Sequence, residues 1–300
     1  MRRGIWYAVA AYTLWGVFPI YIKWLQAVPA VEILAHRVVW SLVFVTALLT
    51  LQRHWKWLRT VVANPSVIGR FVATATVVSV NWGVYIWAIT SDRVVDASLG
   101  YFINPLVNVL LGAALLREHL RSVQWAAVAV AALGVVWLTV QAGTLPWIGL
   151  TLAVSFGTYG LLRKTATLGA LEGLTLETAL LFPLAFGYLL WLASTHQNTF
   201  VEASAPLRWL LVAAGPVTAV PLLLFAAGAR RIPFGLLGLL QYIGPSIQLL
   251  LGVLLYHEPF APAKAAGYAL IWAALALYTA ETLWQNWRRA PEAAAASAPK

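Results

Sequence analysis

Ten long apolar runs, none carrying more than two charged residues, leave this chain few ways to fold. They are Gly4–Leu25, Val31–Leu51, Gly69–Thr90, Val94–Leu116, Ser122–Val140, Pro146–Leu162, Glu172–Ala193, Leu207–Ala229, Pro233–Tyr256 and Pro262–Trp284. Each fits the roughly 17–25 residues that carry an α-helix across a bilayer. Barrel strands would alternate apolar and polar residues over about ten positions, and these runs do not alternate. The expected fold class is all-α integral membrane, with ten transmembrane helices. Composition agrees: 61% of residues are hydrophobic and 10% charged, where a soluble domain carries about 25% charged.

The charges between the runs test that division. With the N-terminus cytoplasmic, the inside loops hold fifteen basic residues: Arg2, Arg3, Arg53, Lys56, Arg59, Arg70, Arg117, Arg121, Arg163, Lys164, Arg230, Arg231, Arg288, Arg289 and Lys300. The outside loops hold four, Lys23, Arg93, Arg208 and Lys264. This is the positive-inside pattern, and one span more or fewer would scramble it. Trp6, Tyr7, Trp24, Trp55, Trp57, Trp209, Trp284 and Trp287 fall near span ends, as interfacial anchors do. The loops account for the net charge of +10, so no nucleic-acid partner is expected. The run after Arg3 is too long for a signal-peptide core, so a retained first helix is expected. There is no cysteine, hence no disulfide and no thiolate metal site.

The chain also repeats at a shift of 140 residues. Over Leu99–Glu118 against Leu239–Glu258, eight of twenty positions are identical, including Pro105, Gly112 and Glu118 against Pro245, Gly252 and Glu258. The expected division is residues 1–140, residues 141–289 and a disordered tail, 290–300. Five spans per repeat is an odd number, so the second repeat must enter the membrane from the opposite side. Paired inverted repeats of this kind belong to transporters whose solute site lies between the halves.

Chemistry-bearing residues are few. HExxH, GxSxG and P-loop motifs are absent. The five histidines lack metal-ligand spacing, so neither metal nor cofactor is expected. Two charges lie inside spans at equivalent places, Arg37 in the second and Glu177 in the seventh. Each sits about 9 Å from its own membrane face, on opposite sides, which disfavours a mutual salt bridge and suits one charge in each vestibule. Local structural pairing of each is the other reading. Asp96 opens the fourth span, where a carboxylate favours a helix N-terminus, and Glu118 and Glu258 read as loop braces. Tyr101, Asn104 and Asn108 share one face of the fourth helix, and Gln241, Gly244 and Gln248 occupy the equivalent positions of the ninth. Both helices carry a mid-span proline. Asn81 and Tyr85 add an i, i+4 pair on the third. A solute-binding cavity fits this set, and so does hydrogen bonding within a static bundle.

At these residues a family likeness emerges. ASLGYFINPLVNVLLG (Ala97–Gly112), EILAHRVVWS (Glu32–Ser41), LQYIGPSIQ (Leu240–Gln248) and WGVFPIY (Trp15–Tyr21) resemble the RarD subfamily of EamA-type transporters, within the drug/metabolite transporter superfamily. The likeness runs from about Gly4 to Trp284. One departure is Arg117-Glu118 and His257-Glu258, where the family often has Gly-Glu. The resemblance implies two EamA repeats, a cytoplasmic N-terminus and an exporter of the bacterial inner membrane. The expected function is secondary transport of a small amphipathic metabolite or drug, with a proton as candidate coupling ion. The competing classes are a membrane sensor and an intramembrane enzyme. Reporter fusions after Leu51, Arg121 and Trp287 should all report a cytoplasmic location; an external signal from the last contradicts ten spans.

Overall fold

A computed structural model of the chain describes residues 2–116, 121–164, 166–229, 231–232 and 240–296. Among these residues every regular element is helical. The elements are α1 (Arg2–Trp24), α2 (Ala30–Leu51), α3 (Trp57–Val62), α4 (Pro65–Thr90), α5 (Val94–Leu116), α6 (Ser122–Ala142), α7 (Trp147–Lys164), α8 (Ala170–Ser194), α9 (Thr199–Glu202), α10 (Ala205–Ala229), α11 (Ile243–Leu250), a π-helical stretch Leu251–Leu255, and α12 (Pro262–Ala296). Helix occurs at all ten expected places; α3 and α9 are short connectors. Among the described residues, α1, α2, α4, α5, α6, α8, α10 and α12 are long and apolar enough to cross a bilayer. The remaining two expected spans are the 18-residue α7 and the helix Ile243–Leu255. Residues 233–239 of the ninth run lie outside the described residues, as do Glu118 and Arg230.

Local chemistry sets the helix ends. The Asn64 carboxamide accepts from the Ser66 N–H at 3.2 Å, and Pro65 occupies the first turn, where its missing N–H costs nothing. The third span therefore starts four residues before Gly69. Gly143 stops α6 in the left-handed region, at φ 66°. The last helix runs on to Ala296, past Trp284 and into the tail expected to be disordered. Alanine, which dominates that stretch, is the strongest helix former.

Packing follows a regular scheme. The main partners are α1 with α10 and α11, α2 with α8 and α10, α4 with α7 and α8, α5 with α7 and α11, and α6 with α12. Each pair has a counterpart five spans away: α1 on α10 matches α7 on α4, and α2 on α10 matches α8 on α4. Glycines permit the closest approaches. A Cβ on Gly100 would lie 2.7 Å from the Gly149 carbonyl oxygen, and one on Gly134 would lie 3.0 Å from that of Gly267. The outward surface is apolar, with Leu133, Leu184, Trp209 and Leu254 exposed. Water does not favour such a belt; acyl chains do.

Carboxylates join the helix ends. Glu32, at the start of α2, accepts from the Thr199 N–H at 2.9 Å and its hydroxyl at 2.7 Å, just beyond α8. Glu172, at the start of α8, lies 2.8 Å from His54 Nε2, just beyond α2. These two contacts make α2 and α8 antiparallel, and Glu32 and Glu172 are equivalent under the 140-residue shift. Glu258 accepts from the Val94 and Val95 N–H groups at 2.6 and 2.8 Å, bracing the first turn of α5 as expected. Burial pushes this carboxyl up from its ordinary value, while the two N–H groups pull it back. Asp96 pairs with Lys264 at 2.8 Å, and Lys23 pairs with Asp92.

Candidate transport site

The polar residues singled out from the sequence fall into three groups. In the first, the Asn108 amide donates to Asn104 Oδ1 at 3.1 Å, and Gln241 Nε2 reaches the same oxygen at 3.4 Å. Asn104 is buried and donates its own amide to the Ala153 carbonyl of α7 at 3.1 Å. Asn104 therefore collects contacts from α5, α7 and the segment preceding α11. Leu240 is helical, Gln241 and Tyr242 form a turn, and α11 starts at Ile243. Pro245 falls in the first turn of α11, where no intrahelical donor is needed. In α5, by contrast, Pro105 is carried inside an unbroken helix.

The second group is aromatic. Tyr85 and Tyr101 meet edge to face, with ring centroids 5.8 Å apart. Tyr101 also meets Phe156 of α7 at 5.9 Å, and Phe156 is 6.3 Å from Tyr159. On the other side Tyr85 stacks on Phe18 of α1 at 5.8 Å. This ladder has a charge at each end. Arg37 lies 5.0 Å from the Phe18 ring, and the Tyr159 hydroxyl donates to Glu177 Oε2 at 3.1 Å. Asn81, on the face of α4 that carries Tyr85, donates to the Leu152 carbonyl and the Ser155 hydroxyl of α7.

The two charges have separate partners. Arg37 Nε donates to Thr218 Oγ1 of α10 at 2.9 Å, and the guanidinium lies 4.0 Å from the Trp82 ring centroid. Glu177 faces Arg163, with 3.9 Å between Oε1 and Nη1. Each charge is seven residues into its helix, about 10 Å from the helix start. Because α2 and α8 are antiparallel, Arg37 and Glu177 lie toward opposite ends of the bundle. A lone charge at a span centre costs about 2.5–3.5 kcal/mol on insertion scales. A desolvated cation over an indole recovers about 2 kcal/mol. Trp82 thus offsets most of the cost of Arg37 without neutralising it.

Gln248 belongs to neither group. Its amide donates to the Trp15 carbonyl of α1 at 3.0 Å. Pro19 lies four residues beyond Trp15 and has no N–H to give that carbonyl. The side chain that the spacing pointed toward a cavity supplies the missing helical hydrogen bond instead. Sequence reasoning passed over Trp82, Thr218, Phe156 and Tyr159. Trp82 sits next to Asn81 and three residues from Tyr85, a mid-span position unlike that of an interfacial anchor. The others carry no local signal.

Replacing Gln248 by Leu strands the Trp15 carbonyl and should cost about 1–3 kcal/mol, read as a lower melting temperature in detergent. In a Pro19→Ala background the restored N–H takes over that carbonyl, and the same replacement should cost clearly less. Equal losses in both backgrounds contradict this role.

Comparison with known proteins agrees with the fold. The EamA-like transporter family matches residues 2–140. The chain is 46% identical to Protein RarD of Streptomyces exfoliatus, over 99% of this chain and 94% of that protein. It is 46% identical to the uncharacterized transporter YojE of Bacillus subtilis, over 96% of this chain and 97% of that one. With Protein RarD of Escherichia coli it shares 42% identity, over 96% and 97% respectively. A solved crystal structure superposes with TM-score 0.54 at 22% identity, covering 92% of this chain and 95% of that chain, and so shares the fold. The chain is thus a multi-pass bacterial membrane protein, and it belongs to the EamA-like transporter family, among the RarD proteins.

Proposed function

We propose that this protein is a secondary transporter that exports a small amphipathic solute across the bacterial inner membrane, with both termini cytoplasmic. It works as two inverted halves, residues 1–140 and 141–289, around a central site. Tyr101, Asn104, Asn108 and Gln241 contact the solute there, with Asn81 and Tyr85 forming the adjoining wall. The observation that carries this reading is the meeting of Asn104 with Gln241, residues from different halves that are both polar at mid-span. The counterpart packing pairs support the repeat, and the antiparallel clasp of α2 and α8 supports its inversion.

The chemistry suits capture and release. Neutral amides and a phenol bind polar groups without fixing a permanent charge in the bilayer. Such a wall favours a neutral or zwitterionic solute over a strongly anionic one. Arg37 and Glu177, toward opposite ends, stand where solute or a coupling proton would enter and leave. Gln248 keeps a structural role beside this site, holding α1 to α11.

The test is solute flux in proteoliposomes, with and without an imposed pH gradient. Wild-type protein should move solute, and a gradient dependence would identify the proton as coupling ion. Asn104→Ala and Tyr101→Ala should each lower flux by about ten-fold or more, a loss of roughly one good hydrogen bond. Leu184→Ala, on the exposed surface, should change nothing. Undiminished flux in Asn104→Ala would place the site elsewhere.

A further inference from the structure

Arg37 is more than 90% buried, yet its charge is left unmatched. Among the described residues no carboxylate lies within 4.0 Å of it, and only its Nε makes a hydrogen bond, to Thr218. The two Nη groups, the pair that grips a carboxylate in a fork, are unclaimed. The guanidinium is also held in orientation, by Trp82 at 4.0 Å and Phe18 at 5.0 Å. The ionisable groups that act on it are the phenols of Tyr21, Tyr85 and Tyr101. Tyr21 gives its hydroxyl to the Leu210 carbonyl. Among the described residues the Tyr85 hydroxyl is buried with no hydrogen-bond partner. Two unused donors, a guanidinium edge and a phenol, therefore flank the same Phe18 ring.

We infer that Arg37 and Tyr85 bind the carboxylate of the transported solute, and that the solute is a monocarboxylate, free or zwitterionic, with an apolar or aromatic body. A single charge is implied because a single cation is offered. The nearest alternatives are engaged, Arg163 beside Glu177 and Lys23 with Asp92. A dianionic phosphate would keep a net charge in the span. The aromatic body is implied by what adjoins the donors, the rings of Tyr85, Tyr101 and Phe156. Thr218 leaves the fork free by taking only Nε, which a lysine ammonium could not reproduce. This inference rests on the transporter reading and assigns its substrate class.

The experiment compares matched acids and amides: phenylacetate with phenylacetamide, hexanoate with hexanamide, and N-acetylphenylalanine with its amide. Binding is read by thermal stabilisation of the purified full chain, and flux in proteoliposomes. In wild type the acids should bind about ten-fold or more tighter than their amides. Arg37→Gln should bring that ratio near one, Arg37→Lys should retain part of it, and Thr218→Val should lower it with the charge intact. Unchanged elution and circular dichroism establish that the variants fold. A wild-type ratio near one, or a ratio that survives Arg37→Gln, overturns the assignment. If amides move as well as their acids in wild type and Arg37→Gln leaves both fluxes intact, the carboxylate class is wrong and transport stands. If no solute moves under any condition, the transporter reading falls with it.

Discussion

A peptide group or charge inside a bilayer has no water to turn to, and the architecture of this protein answers that constraint position by position. Helices satisfy most backbone groups by themselves. The exceptions are where the sequence breaks the ladder or where a helix begins, and there a side chain from another helix steps in. Gln248 completes the Trp15 carbonyl that Pro19 leaves open. Glu258 receives two of the free N–H groups at the start of α5. Glu32 receives the N–H and the hydroxyl of Thr199, beyond α8. Each link ties distant parts of the chain, so satisfying the backbone and assembling the bundle are one process.

The same constraint sorts the polar side chains by purpose. Glu32 and Glu258, which complete unfinished helix ends, use both carboxylate oxygens, while Gln248 spends its amide N–H on Trp15 and keeps a buried Oε1 with no partner among the described residues. Others are only partly used: among the described residues Tyr85 keeps an orphan hydroxyl, and Arg37, toward one end, keeps two amino groups without a hydrogen bond. A static bundle gains nothing from leaving donors in this state, because each costs desolvation without return. A carrier does gain, since its site must be fully satisfied only while solute is bound. That difference favours transport over simple helix packing at Arg37 and Tyr85. At Gln248 the N–H is committed to packing through the Trp15 carbonyl.

Much of this was legible in the sequence, because span length, loop charge and intramembrane charge are local properties. Arg37 and Glu177 stand out from their neighbours without any knowledge of the fold. The roles of Gln248 and Trp82 were not legible. Helical spacing puts Gln248 on the face of Gln241, but its partner is 233 residues away, and only the packing of α1 on α11 brings it near. The early start of α4 was written in Asn64-Pro65-Ser66, a capping signal that a search for apolar runs passes over. Two parallel accounts of the amides, cavity or packing, were available from spacing alone. Contacts across the fold give each amide its partner.

The proposed function depends on whether the two halves move against each other around the place where Asn104 meets Gln241. The chain has no cysteine, so Asp96 and Lys264, which pair across the halves outside the solute wall, can be replaced by two cysteines and joined with a short bifunctional thiol reagent. Flux measured in proteoliposomes before joining, after joining and after cleavage of a reducible linker tests that movement directly. Transport by rocking halves predicts that joining abolishes flux and that cleavage restores it. Flux that continues through the joined protein would contradict it.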